Sequence, residues 1–291
     1  MAIQTATTGN LEDAQNIIIG QARYTSEHNA PMASLVEHFT LGQGNKQLTI
    51  PKVGQMTASG LTDGVDMVNS EDIGLTTTDL TTGEVGLKVI VTKKLIRQFN
   101  EDVFKMVGRQ VGDAMARKKD RDLIALFAGL NGGTILGLDG KYLSMINAQA
   151  LVTFATANRF PPPVFMVHHP NAVGYLAKDA QGVGVTYYMG VMEGFPESVL
   201  RNYWGIKLSN VNVFHDGNID KAADVDSGLG VIASKSSMCI IDSLMPEVDN
   251  EEDKSLRAYE VIIVADYGVF ELDDTYGASC QYEIGTLSTA N

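Results

Sequence analysis

The sequence predicts an α+β fold with antiparallel or mixed sheets, on three observations. Two strand-like runs, residues 47–53 and 86–95, bracket a Gly/Thr/Asp-rich excursion too long for an idle turn. A charged helical pattern, residues 100–130, follows directly. Beyond it, helices and strands mingle without a regular repeat, which argues against a doubly wound sheet. The polar tip of the excursion has few large apolar side chains to bury at home, and a two-stranded arm needs a third strand or a packing partner. The pattern points to an assembly protein, a chain whose arm lies on another copy of itself.

Taken in order, residues 1–42 read as an arm. Residues 11–22 suit a short helix capped by Asn10, with Leu11, Ala14, Ile18 and Ala22 on one face. In residues 47–53, Leu48 and Ile50 alternate with polar side chains, and Pro51 marks an edge strand. The tip spans residues 54–83. In the return strand, Leu87, Val89 and Val91 alternate with Lys88, Ile90 and Thr92, and Lys88, Lys93 and Lys94 line the arm.

Asn100 is placed to cap the long helix, with Glu101 and Asp102 at its positive end. Val103, Val107, Val111, Ala114 and Met115 keep an apolar stripe that Leu123, Leu126, Phe127 and Leu130 continue. Between them lies an almost wholly charged turn, residues 117–122, read as a solvated face or a subunit contact. Gly129 and Asn131-Gly-Gly133 end the helix. A helix over 148–157, a rigid turn over 158–163, a buried strand over 164–167 and a helix through 179 follow. Residues 181–194 read as a Gly-rich loop. Strands are expected at 204–208, 211–214, 229–233, 238–241, 259–265 and 269–272, with an acidic loop at 246–254.

Composition bounds the function. The 291 residues suffice for one large or two modest domains, and 44% hydrophobic with 20% charged residues is ordinary for a globular core. No secretory signal and no membrane span are readable. Cys239 and Cys280 lie far apart and read as reduced, buried thiols. Net charge is −13, unevenly placed. Residues 1–122 carry 13 Lys/Arg against 15 Asp/Glu, a balance of −2; residues 123–291 carry 9 against 20, a balance of −11. Binding by phosphate neutralisation needs clustered Lys and Arg, so tight nucleic-acid affinity is not expected.

Catalytic and cofactor signatures do not assemble. Gly182-Val-Gly184 lacks the third glycine of a dinucleotide loop, and residues 129–134 lack the lysine of a phosphate loop. His168 and His169 sit on opposite faces of a strand and cannot chelate one metal; they read as the start of a helix. Asp216-x-Asn218-x-Asp220 imitates a calcium loop, but Lys221 and Ser227 stand where glycine and glutamate are needed, so an exposed turn is expected. No catalytic, cofactor-binding or metal residue is assigned.

With these elements in order, the chain resembles the major capsid protein of tailed bacteriophages, a fold shared with encapsulin shells and the herpesvirus capsid floor. Residues 164–179 (VFMVHHPNAVGYLAKD) look like the family's strand, His-Pro turn and helix ending in Leu-x-Lys-Asp. Residues 259–269 (YEVIIVADYGV), before a final strand, are similar to its C-terminal return.

The resemblance implies an N-terminal arm over 1–43, an extended loop over 44–97, and a peripheral domain with the spine helix over 98–163. An axial domain over 164–257 and return strands to the peripheral domain over 258–291 complete it. It also implies a non-catalytic subunit forming hexamers and pentamers of an icosahedral virion shell around double-stranded DNA, assembled in the host bacterial cytoplasm. A portal is an expected partner, and the resemblance leaves open whether a cement protein decorates the shell. The arm is too short to be a built-in scaffold, so a separate scaffolding protein is implied and N-terminal processing is not expected. Lys46, Lys52 and Lys88 lie near the loop, but no Asn or Glu partner for an isopeptide cross-link is identifiable. An encapsulin-like compartment is the alternative.

Overall fold

The computed structural model describes residues 30–42, 44–54, 56, 58, 60, 63, 64, 74–98, 102–184, 206–208, 211–221 and 226–287. The expected helix over 11–22 and the Asn100 cap lie outside them. The elements are α1 (Met32–Leu35), β1 (Glu37–Thr40), β2 (Leu48–Lys52), β3 (Thr76–Leu80), β4 (Gly83–Thr92), α2 (Lys93–Gln98) and α3 (Asp102–Ala125). After these come β5 (Leu136–Gly137), α4 (Met145–Ala157), β6 (Val164–His168), α5 (Pro170–Gly184), β7 (Ile206–Leu208) and β8 (Val211–His215). The chain closes with β9 (Ser227–Ser234), β10 (Met238–Asp253), β11 (Ala258–Glu271) and β12 (Gly277–Glu283). No helix among the described residues is long and apolar enough to cross a membrane.

Two sheets carry the fold, one of order β1-β10-β11-β4 and one of order β5-β12-β9-β6-β8-β7, and β2 and β3 form a separate ribbon. The six-stranded sheet is buried on both faces, and its strands obey the two-residue alternation. Met166 and Ile232 face a core with Leu151, Ala172 and Leu176 of α4 and α5. Phe165, Val167, Val231 and Ala233 face the opposite core, with Leu123, Phe127 and Leu130.

The expected spine helix forms as α3, continues as a 3-10 turn over Leu126–Ala128, and touches both sheets. Its 24 residues span about 36 Å at ~1.5 Å per residue. The first half sets Val111 and Met115 against Ile263, Ala265 and Tyr267 of β11. Its end enters the core under the six-stranded sheet, where Leu123, Phe127 and Leu130 are fully buried. The apolar stripe read from the sequence is therefore two contact patches on one rod.

Strand pairing corrects the sequence reading at the arm. The run 86–95 does not pair with 47–53. β4 pairs antiparallel with β11, setting Val91 opposite Tyr259, Val89 opposite Val261 and Leu87 opposite Ile263. The partner of β2 is β3, with Leu48 opposite Leu80, Thr49 opposite Asp79 and Ile50 opposite Thr78. Apolar cross-strand pairs favour the first match, and Thr/Asp pairs suit the half-exposed ribbon. Lys93 and Lys94 open α2 and do not extend a strand.

Three further expectations change. The acidic stretch 246–254 is strand through Asp253, since β10 pairs with β11 out to Asp253 opposite Ala258. Pro246 falls at a register irregularity between Leu244 and Glu247, where an edge strand tolerates a missing donor. Residues 181–184 continue helix α5. The two strands expected at 259–265 and 269–272 are one, and the return segment divides: β11 joins the four-stranded sheet and β12 joins the six-stranded one.

Candidate assembly surfaces

The arm has a base packed at home and an exposed far end. Leu80 is fully buried, and Leu48 and Ile50 pack with it against Leu41, Cys239 and Ile241 on one face of the four-stranded sheet. The Thr49 hydroxyl donates to Asp79 at 2.6 Å, and Lys52 pairs with Asp273 at 2.5 Å. Beyond Lys52 the described apolar side chains turn outward: Val53, Met56 and Leu75 are more than half exposed. Large exposed apolar groups clustered at one end of a structure mark a contact surface.

Lys88 and Lys93, expected along the arm, instead bridge to Glu260 and Glu252 within the home sheet. Of the three lysines near the loop, Lys52 and Lys88 thus face carboxylates, while Lys46 is exposed. Further exposed apolar side chains are Ile135, Leu138 and Tyr142, between α3 and α4, and Ile146 in the first turn of α4.

The charged turn of the spine helix is not a plain solvated face. Lys119 pairs with Asp242 at 2.6 Å, with both side chains largely buried, and its ammonium lies 4.8 Å from the ring centre of Tyr267. The Tyr267 hydroxyl donates to Asp122 at 2.7 Å, and Lys118 also pairs with Asp122. Arg121 reaches Asp220 at 3.1 Å on the exposed side. Asp120 has no solvent exposure at all. The four consecutive charged residues 119–122 therefore fasten the helix to the four-stranded sheet and to the turn after β8.

That turn is a second correction. Asp216 is fully buried and Asn218 nearly so, whereas the sequence reads an exposed turn. The Asp216 main-chain N–H donates to the His168 carbonyl at 3.0 Å, and the Asn218 side chain donates to Asp120 at 3.0 Å. The triplet was visible as a pattern; that the spine helix would bury it was not. Among the described residues no cluster of three or more His, Cys, Asp or Glu could hold a metal.

His169 takes the helix-start role read from the sequence: its Nδ1 accepts from the Asn171 N–H at 3.2 Å. His168 is fully buried, its Nδ1 accepts from the His169 N–H at 2.9 Å, and burial lowers its pKa to about 3, so the imidazole is neutral. Cys239 and Cys280 are fully buried and burial pushes each thiol up to about 12. The native protein at pH 8 should therefore consume no thiol-directed disulfide reagent within minutes, and two equivalents once unfolded. Rapid native labelling would show that one of the cores opens readily.

No protein-family model and no curated protein sequence matches the chain. Solved structures do, along nearly the whole length. The capsid of cyanophage P-SCSP1u is 14% identical with a TM-score of 0.69, covering 92% of each chain. The acid-stable capsid of Helicobacter pylori bacteriophage KHP30 is 10% identical at 0.68, covering 98% of this chain and 100% of that one. The SrpI encapsulin of Synechococcus elongatus PCC 7942 is 11% identical at 0.64, covering all of both chains. The two sheets, the helix that joins them and the projecting ribbon therefore constitute the fold of phage capsid and encapsulin shell subunits.

Proposed function

We propose that this chain is the major capsid protein of a tailed bacteriophage. It is a structural, non-catalytic subunit that assembles with its own copies, as hexamers and pentamers, into an icosahedral virion shell around double-stranded DNA. The observation that carries the reading is the likeness to phage capsid structures over more than nine-tenths of both chains. The exposed arm end fits the same role, because a fold complete at home leaves Val53, Met56 and Leu75 for a neighbouring subunit. A separate scaffolding protein and a portal are the expected partners, and assembly belongs in the host bacterial cytoplasm. The strongly acidic second half disfavours adhesion to the genome, so enclosure retains it. The encapsulin likeness supports a second reading, a protein compartment loaded with protein cargo.

The test is direct. Replacing residues 53–75 by a two-residue Asn-Gly turn preserves the Lys52–Thr76 register and the buried base. This variant should melt within a few degrees of the full chain and form no closed particles by negative-stain microscopy, whereas the full chain, with its scaffold, forms shells. Shells of normal yield from the shortened arm would refute the arm's assembly role. Copurification of an enzyme cargo inside particles would favour the compartment.

A further inference from the structure

Two buried carboxyl groups meet where three elements cross. Asp120 projects from α3 and accepts through Oδ1 from the Met32 N–H of α1 at 3.1 Å, and through Oδ2 from Asn218 Nδ2 at 3.0 Å. Asp216, just after β8, accepts through Oδ1 from the Asn218 N–H at 2.8 Å. Its Oδ2 is buried and receives no N–H or hydroxyl donor. Asn218 brings the two carboxyls together, its main-chain N–H on Asp216 and its side-chain amide on Asp120. Two buried neighbouring carboxylates repel strongly, and a buried oxygen without a donor is costly. A single proton between them removes both problems.

The surrounding charges do not offer another solution. Arg121 pairs outward with Asp220, Lys119 with Asp242 and Lys221 with Asp226. From the six-stranded sheet His168, itself neutral, offers Asp216 its main-chain carbonyl, and His169 turns its ring nitrogen to the start of α5. His215 precedes Asp216 in the chain and is half-buried. Helix α1, of sequence MASL, brings no ionisable side chain.

We propose that Asp216 is held as the neutral acid, donating through Oδ2 to the Asp120 carboxylate, and that this shared proton is a latch joining the spine helix to the turn after β8, opened by alkaline pH. Burial first, and Asp120 second, push the Asp216 carboxyl up to about 8. The sign follows from proton binding. Between roughly pH 4, where an unfolded carboxyl titrates, and about 8, the folded chain keeps a proton that the unfolded chain has lost. Stability from this pair is thus full below that window and declines as pH rises through it. Above it the folded pair becomes two facing anions, and parting the turn after β8 from the spine helix relieves them.

The latch is a property of the isolated subunit and is tested there. In the full chain the Asp216 carboxyl carbon, followed by NMR, should titrate near 8. Hydrogen exchange of the segment 214–221, corrected for intrinsic base catalysis, should accelerate about tenfold or more from pH 7 to 9 as the turn parts from the helix. Asp216→Asn keeps a neutral donor of the same shape and should abolish that acceleration. An Asp216 titration below pH 5 would overturn the proposal, as would equal pH dependence in the wild type and the variant. A melting temperature raised by calcium and lowered by chelator would also overturn it, showing a cation in place of the proton. Because the NMR measurement needs only the wild type, a variant that fails to fold does not protect the idea.

Discussion

Valine in place of Gly230 should leave no folded, soluble protein. Gly230 is buried in β9 and pairs with Cys280 of β12. A β-carbon there would lie 2.6 Å from the Val167 carbonyl oxygen and closer still to the His168 ring. Neither can retreat. Val167 is fixed by its pairing with Val231, and His168 is fully buried with its ring 6.0 Å from that of Tyr282. Even alanine should cost about 2–3 kcal/mol through overpacking. Valine adds two methyl groups at the meeting of three strands, and about 4 kcal/mol or more is expected. Soluble yield and the urea midpoint report it. A Gly230→Val midpoint within about 1 kcal/mol of wild type would mean that β6 and β9 separate far more easily than their pairing implies.

Proline at position 111 should be nearly as severe and fail differently. Val111 is buried in the first half of α3 against β11. Proline removes the hydrogen bond to the carbonyl four residues back and bends the helix, costing about 3 kcal/mol or more. The kink would fall within the patch by which Val107, Val111 and Met115 grip β11, and would turn the end of the helix off its line into the second core. The expected result for Val111→Pro is a destabilised subunit that, where it folds at low temperature, forms no regular shells. Chemical denaturation and negative-stain microscopy measure the two parts. Normal particle yield would show that the helix need not be continuous.

The spine helix was legible in the sequence because its stripe, Val111, Met115, Leu123, Phe127, repeats at helical spacing over many residues. The strand 164–168 and the helix after it were legible for the same reason, as an apolar run followed by a His-Pro start. The arm was legible in kind but not in register. A Thr-rich strand, residues 76–80, was hidden inside the Gly/Thr/Asp-rich excursion, and strand pairing depends on partners far along the chain that no local pattern names. The acidic hairpin end was misread because charge predicts exposure, not the absence of strand. The outer side of β10 beyond Asp242 is indeed exposed, yet its main chain is paired on the other side. The Asp120–Asp216 pair was not legible as a pair, since its members are separated by nearly a hundred residues and only the tertiary fold buries them together.

One rod clamped at two places behaves as a lever. Because the first half of α3 is seated on the four-stranded sheet and its end is sunk beneath the six-stranded one, neither sheet can tilt without carrying the helix along. Packed interiors yield little under load and pass strain on. A push delivered to the ribbon, whose base is set in the four-stranded sheet, is therefore felt as torque at the far sheet. Under the proposed function, copies joined through their ribbons would share an outward pressure as a network of stiff beams. Adaptation to local curvature would then fall on the ribbon ends and loops, and the body of each tile would keep its shape.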